Sequence, residues 1–398
     1  MIAKENRSLI GAILKNERIG QNRSQRDICY GICVPSYLSK IENGEVKPDE
    51  EILEKLYKRL NIEYLGDGER YRYLKEKIEQ FFFNLEYFLD CEEIYKELCS
   101  YDRQLSSSKL AIDWLIIRKI KNQDVQKSLS ALKHNMTLKQ QAYYRICDME
   151  SENTAEKVAA QENAANVLNN SFAYNCLCMT YLMTGQYAKI HQLESRIVSM
   201  AIEEGNTRQL AEYFLLNGTA YGCVNMEELM MANYKKTILL LQNTNWKDDL
   251  SGIYYNIGAT YISSEKYDLA LEYLMKADAT PGGSGFFTHQ KIAITYIRMG
   301  EKEKAEKFLA SMKKHISDAG QKDSLESLMY EEVMWECKEG FLEDPEYLVL
   351  LEKLVKKIKK EKHFGYLYFY HDVITEAYKN QRQYKKALEF QNEISIIR

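Results

Sequence analysis

Proline is scarce in this chain: four residues in 398, at positions 35, 48, 281 and 345. With so few helix breakers, 28% charged residues and 45% hydrophobic residues, a mostly helical protein with ample core material is expected. No apolar run approaches the roughly 18 residues a membrane span needs, so no membrane partner is expected. Charges at Lys4, Glu5 and Arg7 break up the N-terminus, which excludes a signal-peptide reading. The nine cysteines are odd in number and lack framework spacing, which suits a reducing cytoplasm. Cys176 and Cys178 stand two apart, on different faces of a helix, so they make no redox pair. The six histidines show no ligand spacing and no metal site is expected. The glycine-rich stretch 281–285 lacks the Lys-Ser/Thr of a phosphate loop and reads as a linker. No paired catalytic residues emerge, so the expectation is a non-enzyme without cofactors.

What is present begins with residues 24–44, SQRDICYGICVPSYLSKIENG. Ser24 and Asp27 have the spacing of a capping box, which starts a helix at Gln25 with Ile28 and Cys29 facing inward. Gly31 permits a turn, and Pro35 pre-sets the first turn of the next helix. That helix buries Leu38 and Ile41 at i, i+3, leaving Ser36, Tyr37, Ser39 and Lys40 outside. Asn43-Gly44 ends it through the left-handed conformation. An amphipathic segment precedes (Leu9, Ile10, Ile13 and Leu14 on one face), and another follows Asp49, burying Ile52, Leu53, Leu56 and Leu60. Short helices in this order form a complete helix-turn-helix head whose second helix enters a major groove. Residues 1–48 hold eight Lys/Arg against five acidic residues, while the whole chain is net −4. So weakly basic a head is expected to need a two-fold partner to bind tightly.

The string resembles the Xre/Cro-type helix-turn-helix family over roughly residues 6–65, most specifically at SYLSKIENG. The resemblance implies an Arg18–Glu42 pair that is structural, and a glutamine, here Gln25, touching backbone phosphate. Arg23 and Arg26 are candidates for the same phosphates. Ser36, Tyr37, Ser39 and Lys40 are the candidate base readers.

Beyond residue 70 the chain repeats. Tyr254, Gly258, Tyr261 and Ala270 have the spacing of a tetratricopeptide hairpin, in which the glycine lets two helices approach. Copies run through Phe214, Gly218, Tyr221 and Met230; Tyr174, Cys178, Tyr181 and Ile190; and His289, Ala293, Tyr296 and Ala305. Weaker copies are Tyr330, Met334, Cys337 and Leu350, then His371, Thr375, Tyr378 and Ala387. Periods of 35–41 exceed the usual 34. The expected fold is therefore all-α: a helix-turn-helix domain at 1–66, a linker helix at 67–90, and a right-handed tetratricopeptide superhelix at 91–398. Residues 70–165 are expected to form two or three further hairpins. The run 353–362 is basic, with Leu354 and Ile358 as its buried stripe. The aromatic cluster 364–370 should be enclosed by neighbouring helices or a dimer partner.

The concave wall of such a stack is lined by the first helices of successive repeats. Residues placed there by register are Asn175, Met179, Tyr255, Asn256, Gln290, Arg298, Trp335, Asp372 and Glu376, with Asn217 on an adjoining face. Amides there can bridge a peptide backbone and aromatics can hold its side chains. A DNA-reading head joined to such a stack resembles the RRNPP family of peptide-pheromone receptors, in particular quorum-sensing transcription regulators of the PlcR and NprR type. The resemblance implies a cytoplasmic homodimer that binds a palindromic operator in double-stranded DNA and takes a short signalling peptide in its groove. The alternative is a DNA-binding regulator controlled by a protein partner docked on the repeats.

Overall fold

Four helices build the head: α1 (Ile2–Gly20), α2 (Gln25–Cys29), α3 (Pro35–Glu42) and α4 (Glu50–Leu60). The computed structural model describes residues 2–147, 154–224, 226–246, 249–319, 324–361 and 364–395. His363 and Lys362, and the side chains of Lys4, Glu5, Arg7 and Phe364, lie outside the described residues. The capping box forms as expected: the Asp27 amide donates to Ser24 Oγ at 3.2 Å, and the Ser24 amide donates to Asp27 Oδ2 at 3.0 Å. Pro35 occupies the first position of α3, and Gly44 closes that helix at φ +69°. Ile10, Leu14, Ile28, Cys29, Leu38, Ile41, Leu56, Tyr57 and Leu60 form the head's core.

Two details of α4 differ from expectation. Ile52 and Leu53 are half-buried, whereas Tyr57, between the expected core positions, is fully buried. Its hydroxyl donates to the carbonyl of Ser107 at 2.7 Å, so a polar tip 50 residues away fixes which face turns inward. Helix α1 is likewise two-sided. Ile10 and Leu14 face the head, while Leu9 and Ile13 join the core of the helices that follow.

Those are α5 (Glu69–Glu86), α6 (Glu92–Cys99), α7 (Asp102–Ser106), α8 (Ala111–Ile120), α9 (Gln126–Leu132), α10 (Leu138–Cys147) and α11 (Thr154–Leu168). Their core gathers Leu74, Phe81, Leu98, Leu105, Trp114 and Ile116. Packing divides the chain after Ala173, so the head and these helices share one compact unit. The sequence boundaries at 66 and 90 fall inside it.

The second unit, from Tyr174, is a series of helical hairpins. It opens in α12 (Ser171–Met183), whose partner is split at Leu193 into α13 (Tyr187–Gln192) and α14 (Glu194–Glu203). Then come α15 (Thr207–Cys223) with α16 (Glu227–Leu241), α17 (Leu250–Ser263) with α18 (Tyr267–Ala279), and α19 (Phe286–Arg298) with α20 (Lys302–Ala319). Next are α21 (Leu325–Glu336) with α22 (Pro345–Glu361), a short α23 (Phe364–Phe369), and α24 (His371–Asn380) with α25 (Tyr384–Ser395). No strand occurs among the described residues. First helices touch one another in succession, α15 with α17, α17 with α19, and α19 with α21, which makes them one continuous layer. Gly258 does what its register requires: a Cβ there would stand 2.6 Å from Leu274 Cγ and 3.1 Å from the Ala270 carbonyl. The linker 281–285 packs tightly too, since a Cβ on Gly283 would fall 1.8 Å from the Ala277 carbonyl oxygen. Leu354 and Ile358 form the buried stripe of α22.

Candidate DNA-reading face and sensor cavity

Helix α3 is held from behind. Arg18 of α1 grips Glu42 with two bonds, Nε to Oε1 at 2.7 Å and Nη2 to Oε2 at 2.9 Å. Gln25 Nε2 donates to the same carboxylate at 2.8 Å. Glu42 is buried, so this forked pair is partly desolvated and geometrically specific. Gly11 allows α1 to lie directly on α3: a Cβ there would stand 2.1 Å from the Ile41 carbonyl oxygen.

The outward face is what the spacing predicts. Ser36 and Lys40 are exposed, and Tyr37 and Ser39 are half-buried along its edges. Arg26 is exposed at the start of α2. Arg23 is half-buried, and its guanidinium donates to the Arg59 carbonyl at the end of α4. Gln25 and Arg23 thus each have a partner within the head, and Arg26 is the fully exposed cation of the three. Sequence reasoning passed over Tyr30, which is 81% exposed between α2 and α3. Its signal is an aromatic directly before the turn glycine, Gly31.

In the second unit, a cavity of about 110 Å³ opens among α15, α17, α19 and α23. Thr219, Gly222 and Cys223 line it from α15, and Asn256, Ala259, Thr260 and Ser263 from α17. These side chains are small and recur at helical spacing, which leaves room along the layer of first helices. Tyr234, Tyr255 and Lys291 form further walls, and Tyr366, Tyr368 and Phe369 of α23 close it. Within the cavity wall, Thr219 Oγ1 and the Tyr234 hydroxyl lie 3.1 Å apart, and Tyr255 bonds the Tyr366 hydroxyl. Burial holds the Tyr255 and Tyr366 phenols above the ordinary tyrosine value, so both remain neutral.

Of the candidate peptide contacts, Tyr255 and Asn256 line this cavity. Others are turned into the hairpins themselves. Asn175 is buried and donates to the Gln209 carbonyl and Oε1 at 2.8 and 2.7 Å. Asn217 is fully buried between His191, at 2.6 Å, and Asn233, at 3.2 Å. Gln290 is fully buried and donates to the Tyr370 hydroxyl at 2.6 Å. Arg298 makes a forked pair with Glu336, at 3.0 and 2.6 Å. Trp335 packs on Tyr347 beneath Lys338, Met179 is half-buried away from the cavity, and Asp372 is exposed beside His371. Glu376 is exposed and pairs with Lys379. Positions just after the aromatic and near the glycine position thus turn partly into the interhelical packing.

The aromatic cluster is enclosed by its own chain. Leu367 and Tyr370 are buried, Tyr366 packs edge-on to Phe287, and Phe369 lies against Tyr370. Sequence reasoning missed Lys291, Thr219, Tyr234 and Phe369 as cavity residues. Only Lys291 carried a signal, a charge in an otherwise apolar stretch of α19. Among the described residues no cluster of His, Cys, Asp or Glu could hold a metal ion, and no helix is long and apolar enough to cross a membrane.

Residues 14–65 match the family described as helix-turn-helix. The chain matches no curated protein sequence. A Rap protein solved in complex with Competence and Sporulation Factor is similar in structure, with a TM-score of 0.58 and 13% identity, over 82% of this chain and 97% of that one. The apo form of the quorum sensor NprR from B. thuringiensis has a TM-score of 0.55 at 15% identity, over 82% and 99%. B. thuringiensis PlcR, solved with the peptide PapR7 and DNA, has a TM-score of 0.34 at 15% identity, over 76% and 99%. The chain therefore carries a DNA-binding helix-turn-helix head, and its helical-hairpin fold is that of the Rap and NprR structures.

Proposed function

We propose that this protein is a transcription regulator whose head binds a specific operator and whose repeat unit senses a short linear peptide. The observation that carries the DNA half is a recognition helix braced by the Arg18–Glu42–Gln25 cluster with Ser36 and Lys40 left exposed. Ser36, Tyr37, Ser39 and Lys40 read base edges, while Arg26, aided by Arg23 and Gln25, meets phosphates. The domains are a head at 1–66, a linker helix at 67–90 and a sensor at 91–398. Two copies act together on a palindrome, because half-site spacing converts a small change in head placement into a change in affinity.

The sensor half is supported by the cavity, where the amide of Asn256 and the ring of Tyr255 meet on the layer of first helices. The similar fold of NprR, a quorum sensor, agrees with it. Peptide binding favours one head arrangement by exactly its differential affinity for the two, so the ligand must contact a part that moves. Helix α23, which closes the cavity, is that part.

A second reading has an observation of its own. The aromatics of α23 fill much of the space between α17 and α19, which favours regulation by a protein partner on the outer surface. The test separates them. Operators are first selected from random duplexes with the full-length protein. Synthetic peptides of about five to ten residues are then titrated against the selected duplex. A peptide that changes its affinity, and whose effect Asn256→Ala abolishes without altering binding of the free protein to DNA, establishes the first reading. If no peptide changes affinity or thermal stability, the partner reading stands instead.

A further inference from the structure

Lys291 is unlike any other lysine described here. It lies in the middle of α19, is 2% exposed, and borders the cavity. Among the described residues its Nζ has no hydrogen-bond partner. It stands instead 2.9 Å from the ring centre of Phe369 and 5.4 Å from that of Tyr370. The charged groups around it do not supply a counter-ion. Glu336 is engaged by Arg298 Nε and Nη2, and Glu332 is tied to the Tyr347 hydroxyl, at 3.3 Å, and to Glu336. Burial drives Lys291 well below its ordinary value and Glu332 well above its own, so the amine tends toward its neutral form. A carboxylate entering beside it would draw a proton from solvent onto Lys291, and the ammonium so formed would pair with it in a charge-assisted bond.

We propose that Lys291 is the anchor for the terminal carboxylate of a short linear peptide, whose last residue enters the cavity between α17 and α23. This rests on the peptide-sensing reading above and names which end of the ligand is recognised. The cavity, of about 110 Å³, borders Lys291 directly. Its aromatic walls, Tyr255, Tyr366 and Phe369, suit an apolar last side chain. Phe369 lies over the Lys291 nitrogen, so the carboxylate reaches the ammonium by moving that ring aside. Anchoring is thereby coupled to α23.

The test uses two pools of synthetic peptides of about five to ten residues, alike in sequence but ending in either a free acid or a carboxamide. Each pool is incubated with the full-length protein, peptides that co-elute are identified by mass spectrometry, and their Kd values are measured by calorimetry. The free acids are expected to be retained, with the amides at least about tenfold weaker. In Lys291→Met the two forms should bind alike, and Lys291→Arg should keep part of the preference. Thermal unfolding without peptide checks that each variant is folded; if Met proves unfolded, the acid-to-amide ratio of the native protein decides. Equal binding of both forms by the native protein, or an acid preference that survives in a folded Lys291→Met, overturns the anchor and leaves peptide sensing intact. Retention from neither pool overturns both.

Discussion

Single residues divide here into those that read and those that hold. Lys40 is exposed on α3, so its amine is available to a guanine edge. Lys40→Ala should cost about 1–3 kcal/mol on the selected operator and relax preference at one base pair, measured by anisotropy against a panel of single-base variants. Unchanged affinity and preference would remove it from the reading set. Arg26→Ala should instead weaken all sequences alike and flatten the salt slope by about one phosphate contact. The exposure of both side chains was legible in the sequence, because caps and helical spacing are local. The ties of Arg23 to the Arg59 carbonyl and of Gln25 to Glu42 were less so, since each partner is set by tertiary packing. Asp113 adds a pH signature to the first unit. Burial raises its pKa to about 6 despite the bond from Gln140 Nε2 at 2.9 Å. A carboxyl raised on folding contributes its full stability below about pH 4 and loses it as pH climbs through about 6. Asp113→Asn should therefore unfold later than the native chain at pH 7, by up to about 2 kcal/mol, and the difference should vanish near pH 4 in denaturant titrations. A gap that persists at low pH would refute this.

Whole elements depend on a few close approaches and caps. Gly11→Ala would push a methyl into the Ile41 carbonyl, a backbone atom that can yield only if α1 and α3 part. A loss of about 3 kcal/mol is expected, together with operator binding, since α3 would leave the Arg18–Glu42 brace. Gly258→Ala meets the Leu274 side chain at 2.6 Å and a backbone carbonyl, that of Ala270, only at 3.1 Å, and it gains helix propensity, so its cost should be smaller. Paired chemical denaturation curves rank the two, and a reversed order would mean that the α17–α18 hairpin is the more rigid contact. The glycine at 258 could be assigned from its repeat spacing alone. Gly11 could not, because its partner lies 30 residues away on another helix. Tyr57 shows the same limit: the period favours Ile52 and Leu53, but a hydroxyl bond to Ser107 selects the neighbouring face. Helix α23 shows it most clearly. Its six residues and the Tyr370 that follows carry aromatics on every face and announce enclosure, but which surfaces enclose them is decided by α17, α19 and α22.

At the scale of the whole molecule the deciding quantity is charge. The chain is net −4, and its first 48 residues carry an excess of only three positive charges. One such head neutralises few phosphates, while log affinity falls with log salt by about 0.9 per phosphate contacted. A single head should therefore hold DNA weakly at physiological salt, and specificity must come from two heads held at a fixed separation. The expected outcome is that an inverted pair of half-sites binds at least about 100-fold more tightly than one half-site, with nearly twice the salt slope. Moving the half-sites apart by about five base pairs should remove the advantage, because the second recognition helix would then face the opposite side of the duplex. Titrations of the three duplexes at two salt concentrations measure all of this. Equal affinity and slope for one and two half-sites would make the protein a single-headed binder. A ligand in the cavity could then act only within one chain, not by changing the distance between two.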